Sequence, residues 1–344
     1  MFPAPSYNTP PPSAHAKLAC VSDEALHFTP PPRFGETHFS SYTPQHPSQE
    51  AALERVKAFV AEVSGPSAAG FRWPWQKRET SGRGLYLDGG FGVGKTHLLA
   101  AAYYASTVPE KAYLSFQELV YVVGVKGVAA AKEELGDTKL FCIDEFELDD
   151  PGNTLIVKTF LAHVFAHGGS VMTTANTPPE AQGQGRFNAD DFRREIQSLA
   201  ENFSVVSLEG PDYRRREHLA QLLSDAELER RLRDEAAPEP KLALAWSELL
   251  ELLSRHHPIR YRDLIDRFGT LYLGGARTLA VQNDALRFVH FIDKLYDLGK
   301  GLRVSGEVAL VDLFDPSYRG GAYAKKYLRC LSRLSELLED PLTP

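Results

Sequence analysis

Between residues 84 and 210 the chain alternates short apolar runs with segments whose apolar residues return every three to four positions. The runs "GLYLDG" (84–89), "KAYLSF" (111–116), "KLFCIDEF" (139–146), "SVMTTAN" (170–176) and "FSVVSLEG" (203–210) have the length and composition of buried strands. Between them, "THLLAAAYYAS" and "FQELVYVVGVKG" read as helices, the second against its own β-branched content. Strands apolar on both faces and separated by helices predict a five-stranded parallel sheet covered on both sides. Upstream, "PSQEAALERVKAFVAEV" opens a helix with Ser48 as its expected N-cap. Residues 1–48 are rich in Pro, Ser and Thr and read as an extended arm, with Phe34, Phe39 and Tyr42 as anchors that pin it to a domain. "SGPSAAGFRWPWQKRETSGR" reads as a loop.

From residue 212 the pattern changes. Charged helical segments dominate, among them "RRREHLAQLLSDAELERRLRDEA" and "LAWSELLELLSRH", separated by the turn-rich "AAPEPK" (236–241). Two strand-like pieces follow, "GTLYLGG" and "GLRVSGEVALVDLF", and the helix "AYAKKYLRCLSRLSELLED" closes the chain. No internal repeat is visible. The expected organisation is an arm (1–48), an α/β domain (49–211) and a mainly helical region with extra strands (212–344).

Composition narrows the class. The 344 residues suffice for about two domains, and 43% are hydrophobic, as in a globular protein. No stretch approaches ~18 consecutive apolar residues, so no transmembrane segment is expected. A net charge of −7 argues against tight nucleic-acid binding. Cys20, Cys142 and Cys330 form no CxxC pair, which fits a reducing compartment. "MFPAPSYNTP" lacks the basic head and apolar core of a secretory signal, so the expected location is the cytoplasm.

One stretch carries explicit chemistry. "GGFGVGKT" (89–96) matches G-x-x-x-x-G-K-[ST] and lies between a predicted strand and a predicted helix, the context that motif requires. Gly89, Gly90, Phe91, Gly92, Val93, Gly94, Lys95 and Thr96, with His97 after them, are therefore the candidate nucleotide cradle. Backbone N–H groups turn inward on the phosphates, Lys95 reaches the β- and γ-phosphates, and the Thr96 hydroxyl binds Mg²⁺. "LFCIDEF" delivers Asp144 and Glu145 at the carboxyl end of an apolar strand, where open α/β sheets bind ligands. Asp144 is the expected second metal residue, and Glu145 the group that polarises the attacking water. Asn176, ending "VMTTAN", is either a partner of that water or a turn-capping residue before "TPPE". The absence of N-K-x-D after the loop favours ATP over GTP. The fold expectation is thus an α/β P-loop NTPase core.

Other features have plainer readings. "RRR" (214–216) and "ERRLR" (229–233) either contact nucleic acid or an acidic partner or, being interleaved with acids, lie on a solvated helix face, the reading the acids favour. His256 and His257 stand before Pro258 without a second ligand pair at metal spacing, which suits a helix end. Cys142 lies in a buried strand. Trp73 and Trp75 either pack their loop or dock a partner.

Taken together these motifs resemble the AAA+ ATPases, and more narrowly the ZapE family of bacterial cell-division ATPases with mitochondrial relatives. The resemblance runs from "PPPRF" onward and rests on "FSSYTP" with "PSQEAAL", "GLYLDGGFGVGKTHLL", "FCIDEF", "ANTPPE", "GRF", "DYRRR" and "ALRFVHFIDKLYD". It implies that Glu145 is the catalytic Walker B glutamate and that Asn176 is the sensor of the γ-phosphate. It implies an arginine finger from a neighbouring subunit of a homo-oligomer, for which Arg186 in "GRF" fits best and Arg193 and Arg194 are rivals. Arg287 and Arg277 are both candidates for the second sensor. The implied partner is a protein of the division machinery, such as the tubulin-like ring protein. The alternatives are a DNA-binding ATPase of the helicase-loader or replication-initiator type and a membrane-associated quality-control ATPase.

Overall fold

In the computed structural model, which describes residues 28–65, 82–148, 151–179, 182, 197–210, 220–321 and 323–342, each apolar run between 84 and 210 contains a strand. These are β1 (Gly84–Gly89), β2 (Lys111–Ser115), β3 (Leu140–Asp144), β4 (Ser170–Ala175) and β5 (Phe203–Leu208). They form one sheet in the order β2-β3-β4-β1-β5, with every pairing parallel. The chain divides into two compact units, Leu26–Arg215 and Arg216–Pro344.

The first unit is a three-layer sandwich, and side-chain alternation assigns its two faces. Leu85 and Leu87 of β1, Leu140 and Cys142 of β3 and Met172 of β4 pack with the helices Pro47–Ser64 and Lys95–Ala105. Tyr86, Phe141, Ile143 and Val171 point the other way, against the helices Phe116–Leu135 and Pro151–Ala166. Phe34, Phe39 and Tyr42 pack on the first of these cores, as expected of the arm's anchors. Phe28 accepts a hydrogen bond from the Tyr113 N–H at the outer edge of β2, 2.8 Å.

Local chemistry moves several predicted boundaries. The first helix begins at Pro47, so its N-cap is His46 and not Ser48. Pro suits the first helical position because no N–H is needed there. The His46 Nδ1 accepts from the Ser48 N–H, while the Ser48 hydroxyl accepts from the Glu209 N–H at 2.8 Å, beyond the end of β5. Strand β2 stops at Ser115 because Ser115 and Glu118 cap each other and start a helix at Phe116. That helix bends where Gly127 takes φ 81°.

The second unit holds three parallel strands, β6 (Lys241–Ala245), β7 (Thr270–Ala276) and β8 (Gly301–Gly306), in that order. Here β6 is a strand that the sequence pattern merged with the following helix. The Glu248 carboxylate accepts the Ala245 N–H at 2.8 Å, which starts the helix at Trp246 and leaves 241–245 extended. "GLRVSGEVALVDLF" is strand only to Gly306; Leu310–Asp312 is a short 3-10 turn. The helices Trp246–Arg255, Gln282–Asp297 and Ala324–Glu339 share a core with the sheet. Some of the charges seen in the sequence are internal. Asp293 receives Arg329 and Arg333, each at 2.6 Å, and Arg303 reaches Glu235 at 2.9 Å. Burial works against ionisation of Asp293, yet the two guanidiniums hold its carboxyl below the usual carboxylate range. Among the described residues no helix is long and apolar enough to cross a membrane.

Candidate nucleotide-binding site

The carboxyl ends of β1, β3 and β4 meet the loop Gly89–Thr96 and the start of the helix at Lys95. The loop's tight path depends on glycine. Gly94 is the helix N-cap at φ 88°, and a Cβ there would lie 2.4 Å from the ring of Tyr42. The Tyr42 hydroxyl donates to the Val93 carbonyl at 3.1 Å, so the arm itself braces the loop; burial pushes that hydroxyl's pKa up to about 12. His97 follows, within 3.1 Å of the Ser41 hydroxyl and 3.3 Å of the His38 carbonyl. Burial lowers its pKa, with the His38 contact acting in the opposite direction.

Lys95 is almost fully buried, and its ammonium donates to Gly89 O at 2.9 Å, Gly90 O at 2.5 Å and Asn176 Oδ1 at 3.1 Å. Thr96 donates to Asp144 Oδ1 at 3.2 Å. Asp144 also accepts from Tyr113 at Oδ2, 3.3 Å, and from the Thr174 hydroxyl through a short bond to Oδ1. Register explains that contact: β3 and β4 pair Ile143 with Thr173, so Asp144 and Thr174 come side by side one step further on.

Glu145 follows at φ 55°, the one non-glycine with positive φ among the described residues. Its N–H donates to Asp144 Oδ1 and to Thr174 Oγ1, each at 3.1 Å, and these bonds hold it in a region most side chains avoid. Asn176 lies just past β4 and donates from Nδ2 to Glu147 Oε1 at 3.1 Å. Behind it, buried Gln182 accepts from the Leu148 N–H at 3.0 Å and donates to Tyr86, Phe146 and Thr177. The structure therefore brings Lys95, Thr96, Asp144, Glu145 and Asn176 together.

Tyr42, Tyr113, Thr174, Glu147 and Gln182 were not singled out for this site by sequence. They have no motif spacing of their own and arrive through strand register and chain crossings. Arg186, Arg193 and Arg194, like Trp73, Trp75 and "RRR" (214–216), lie outside the described residues. Within the second unit Arg277 is exposed, and Arg287 lies 3.4 Å from Asp284 on its own helix. His256 bonds the Leu252 carbonyl at 2.9 Å, and His257 caps the turn at Pro258, both helix-end roles.

A family model described as AFG1-like ATPase matches residues 29–238 and 219–342. Cell division protein ZapE of Escherichia coli (strain K12) is 28% identical over 317 residues, 77% of this chain and 82% of that protein. Lactation elevated protein 1 homolog B of Danio rerio is 35% identical over 88 residues, 25% of this chain and 18% of its own length. Among solved structures, the DnaC helicase loader is 17% identical at a TM-score of 0.37, covering 52% of this chain and 99% of that one.

Proposed function

The chain belongs to the AFG1-like ATPase family and hydrolyses ATP, and from that premise we propose that it binds Mg-ATP at Gly89–Thr96 and couples hydrolysis to remodelling of a protein partner. The observation that carries this reading is the convergence of Lys95, Thr96, Asp144, Glu145 and Asn176 at one sheet edge. The loop N–H groups from Gly90 to Gly94 and the first turn at Lys95, Thr96 and His97 supply donors and the positive helix end for the phosphates. Lys95 exchanges its carbonyl acceptors for β- and γ-phosphate oxygens. Thr96 and Asp144 offer hard oxygen donors 3.2 Å apart, a set that fits Mg²⁺. When bound, that ion neutralises charge on the β- and γ-phosphates. Glu145 orients and polarises the attacking water, and Asn176 reports the γ-phosphate. Arg186 is the finger supplied by a neighbouring copy in a homo-oligomer.

The relative's name, cell division protein, supports a role for this chain in cell division; the partner proposed is a protein of the division machinery, with the tubulin-like polymer as first candidate and the cytoplasm as the proposed location. The net charge of −7 supports a protein partner over DNA. The experiment is a pair of variants followed by calorimetry and turnover. Lys95→Ala is expected to lose ATP binding, and Glu145→Gln to bind ATP without hydrolysing it. Equal ATP affinity in Lys95→Ala and wild type would reject the site. Mixing inactive Lys95→Ala with Arg186→Ala restores turnover if the finger acts between copies; no recovery in samples shown to exchange subunits removes Arg186 from that role. Pelleting with the division polymer, dependent on ATP and weakened by Lys95→Ala, is the partner test, and tight single-strand DNA binding without polymer binding defeats it.

A further inference from the structure

Strands β3 and β4 cease to be a ladder just where the site begins. Their last register pair is Ile143 with Thr173, and Glu145 and Asn176 both lie beyond it. Past that point the Phe146 N–H still donates to the Thr174 carbonyl at 2.7 Å. From there on side chains bridge the two departing segments: Asn176 reaches Glu147, and buried Gln182 is bonded to both segments.

The Gln182 amide has one workable orientation. The Leu148 N–H can only donate, and it meets Oε1 at 3.0 Å. The Phe146 and Thr177 carbonyls can only accept, and they face Nε2 at 3.1 and 3.3 Å. The Tyr86 hydroxyl gives its single proton to the Thr177 carbonyl at 2.8 Å, so its oxygen accepts from Nε2 at 2.9 Å. The two N–H groups of Nε2 are shared among these acceptors. A flipped amide would set oxygen against carbonyls and NH₂ against an N–H. Tyr86 belongs to β1 and is itself almost fully buried, edge-on to Phe146 and Phe203. Gln182 therefore ties 146–148 to Thr177 and, through Tyr86, ties both to the strand that leads into the phosphate loop.

Resting on the reading of Glu145 as the group that polarises water and Asn176 as the γ-phosphate sensor, we propose that Gln182 is a positioning residue for ATP hydrolysis, which sets the separation of Glu145 from Asn176 through the backbone that follows each of them. It touches neither nucleotide nor water. A misplacement of about 1 Å in such a pair can cost about a hundredfold in rate, so the effect falls on the chemical step and not on ATP binding.

The test separates turnover from binding. Gln182→Met keeps the length of the side chain and removes its polar atoms. Tyr86→Phe keeps the ring and removes the hydroxyl that joins Gln182 to Thr177. Steady-state kinetics give kcat and KM for each, and calorimetry in the Glu145→Gln background, where ATP is not consumed, gives the ATP dissociation constant. Gln182→Met is expected to lower kcat by about ten- to a hundredfold. Tyr86→Phe is expected to lower it by about three- to tenfold, the worth of one hydrogen bond. ATP affinity stays unchanged in both. Wild-type kcat in either folded variant, or a fall in kcat matched by an equal loss of ATP affinity, overturns the proposal; where Gln182→Met does not fold, Tyr86→Phe decides alone. Wild-type turnover in Glu145→Gln itself rejects the reading beneath it, a separate result.

Discussion

Thr174 serves two partners with one hydroxyl, donating to Asp144 and accepting from the Glu145 N–H. Valine has its shape and neither bond. Thr174→Val is therefore expected to leave ATP affinity nearly unchanged and to lower kcat by about tenfold or more, the worth of a hydrogen bond to a charged group. Steady-state turnover beside calorimetry checks it, and a variant with wild-type kcat would remove Thr174 from the positioning of Glu145. At this scale the sequence spells out what local spacing can encode. The loop from Gly89 to Thr96 and the pair Asp144–Glu145 are legible because each is a contiguous motif. Thr174, Glu147 and Tyr42 are not, because their partners lie tens of positions away and meet them only once register and chain path are fixed.

Among the elements, the arm and the phosphate loop are a single fitted pair. Gly94 needs its left-handed φ of 88°, and Tyr42 fills the space a side chain would take. Gly94→Ala is expected to lower ATP affinity by more than about tenfold, since it adds left-handed strain of about 1–2 kcal/mol to a clash with the Tyr42 ring. Adding Tyr42→Ala to that variant relieves the clash and leaves the strain, so affinity recovers in part. No recovery in the double variant would mean that the clash with the Tyr42 ring is not what costs affinity in Gly94→Ala. The elements themselves were read from periodicity with specific losses. Periodicity does not separate β6 from the helix after it, because its alternation runs without a turn residue into "WSELL", and the capping that divides them is a backbone contact by Glu248. Ser48 reads as N-cap because serine is the commoner cap, whereas Pro47 fixes the helix start two residues earlier.

For the whole molecule, stability of the second unit rests in part on a charge that the fold has internalised. Asp293 is depressed below the carboxylate range by Arg329 and Arg333 in spite of burial. A depressed carboxyl contributes stability that is fully present above its unfolded pKa of about 4 and is lost as pH falls through the folded value. Asp293→Asn is therefore expected to destabilise this unit by about 3–5 kcal/mol at pH 7, since it leaves two buried guanidiniums without their carboxylate. The melting-temperature gap to wild type should narrow as pH drops from 5 to 3; a constant gap would show that the carboxylate's charge is not what the helices use. Glu145 has the opposite relation to the fold. Its φ of 55° suits glycine, and its side chain adds a second carboxylate beside Asp144. Glycine at this position would ease the backbone while deleting the group proposed to polarise water. A mutant library sorted for abundance alone would therefore drift toward well-folded proteins that do no work, and only a screen that reads turnover would keep the glutamate.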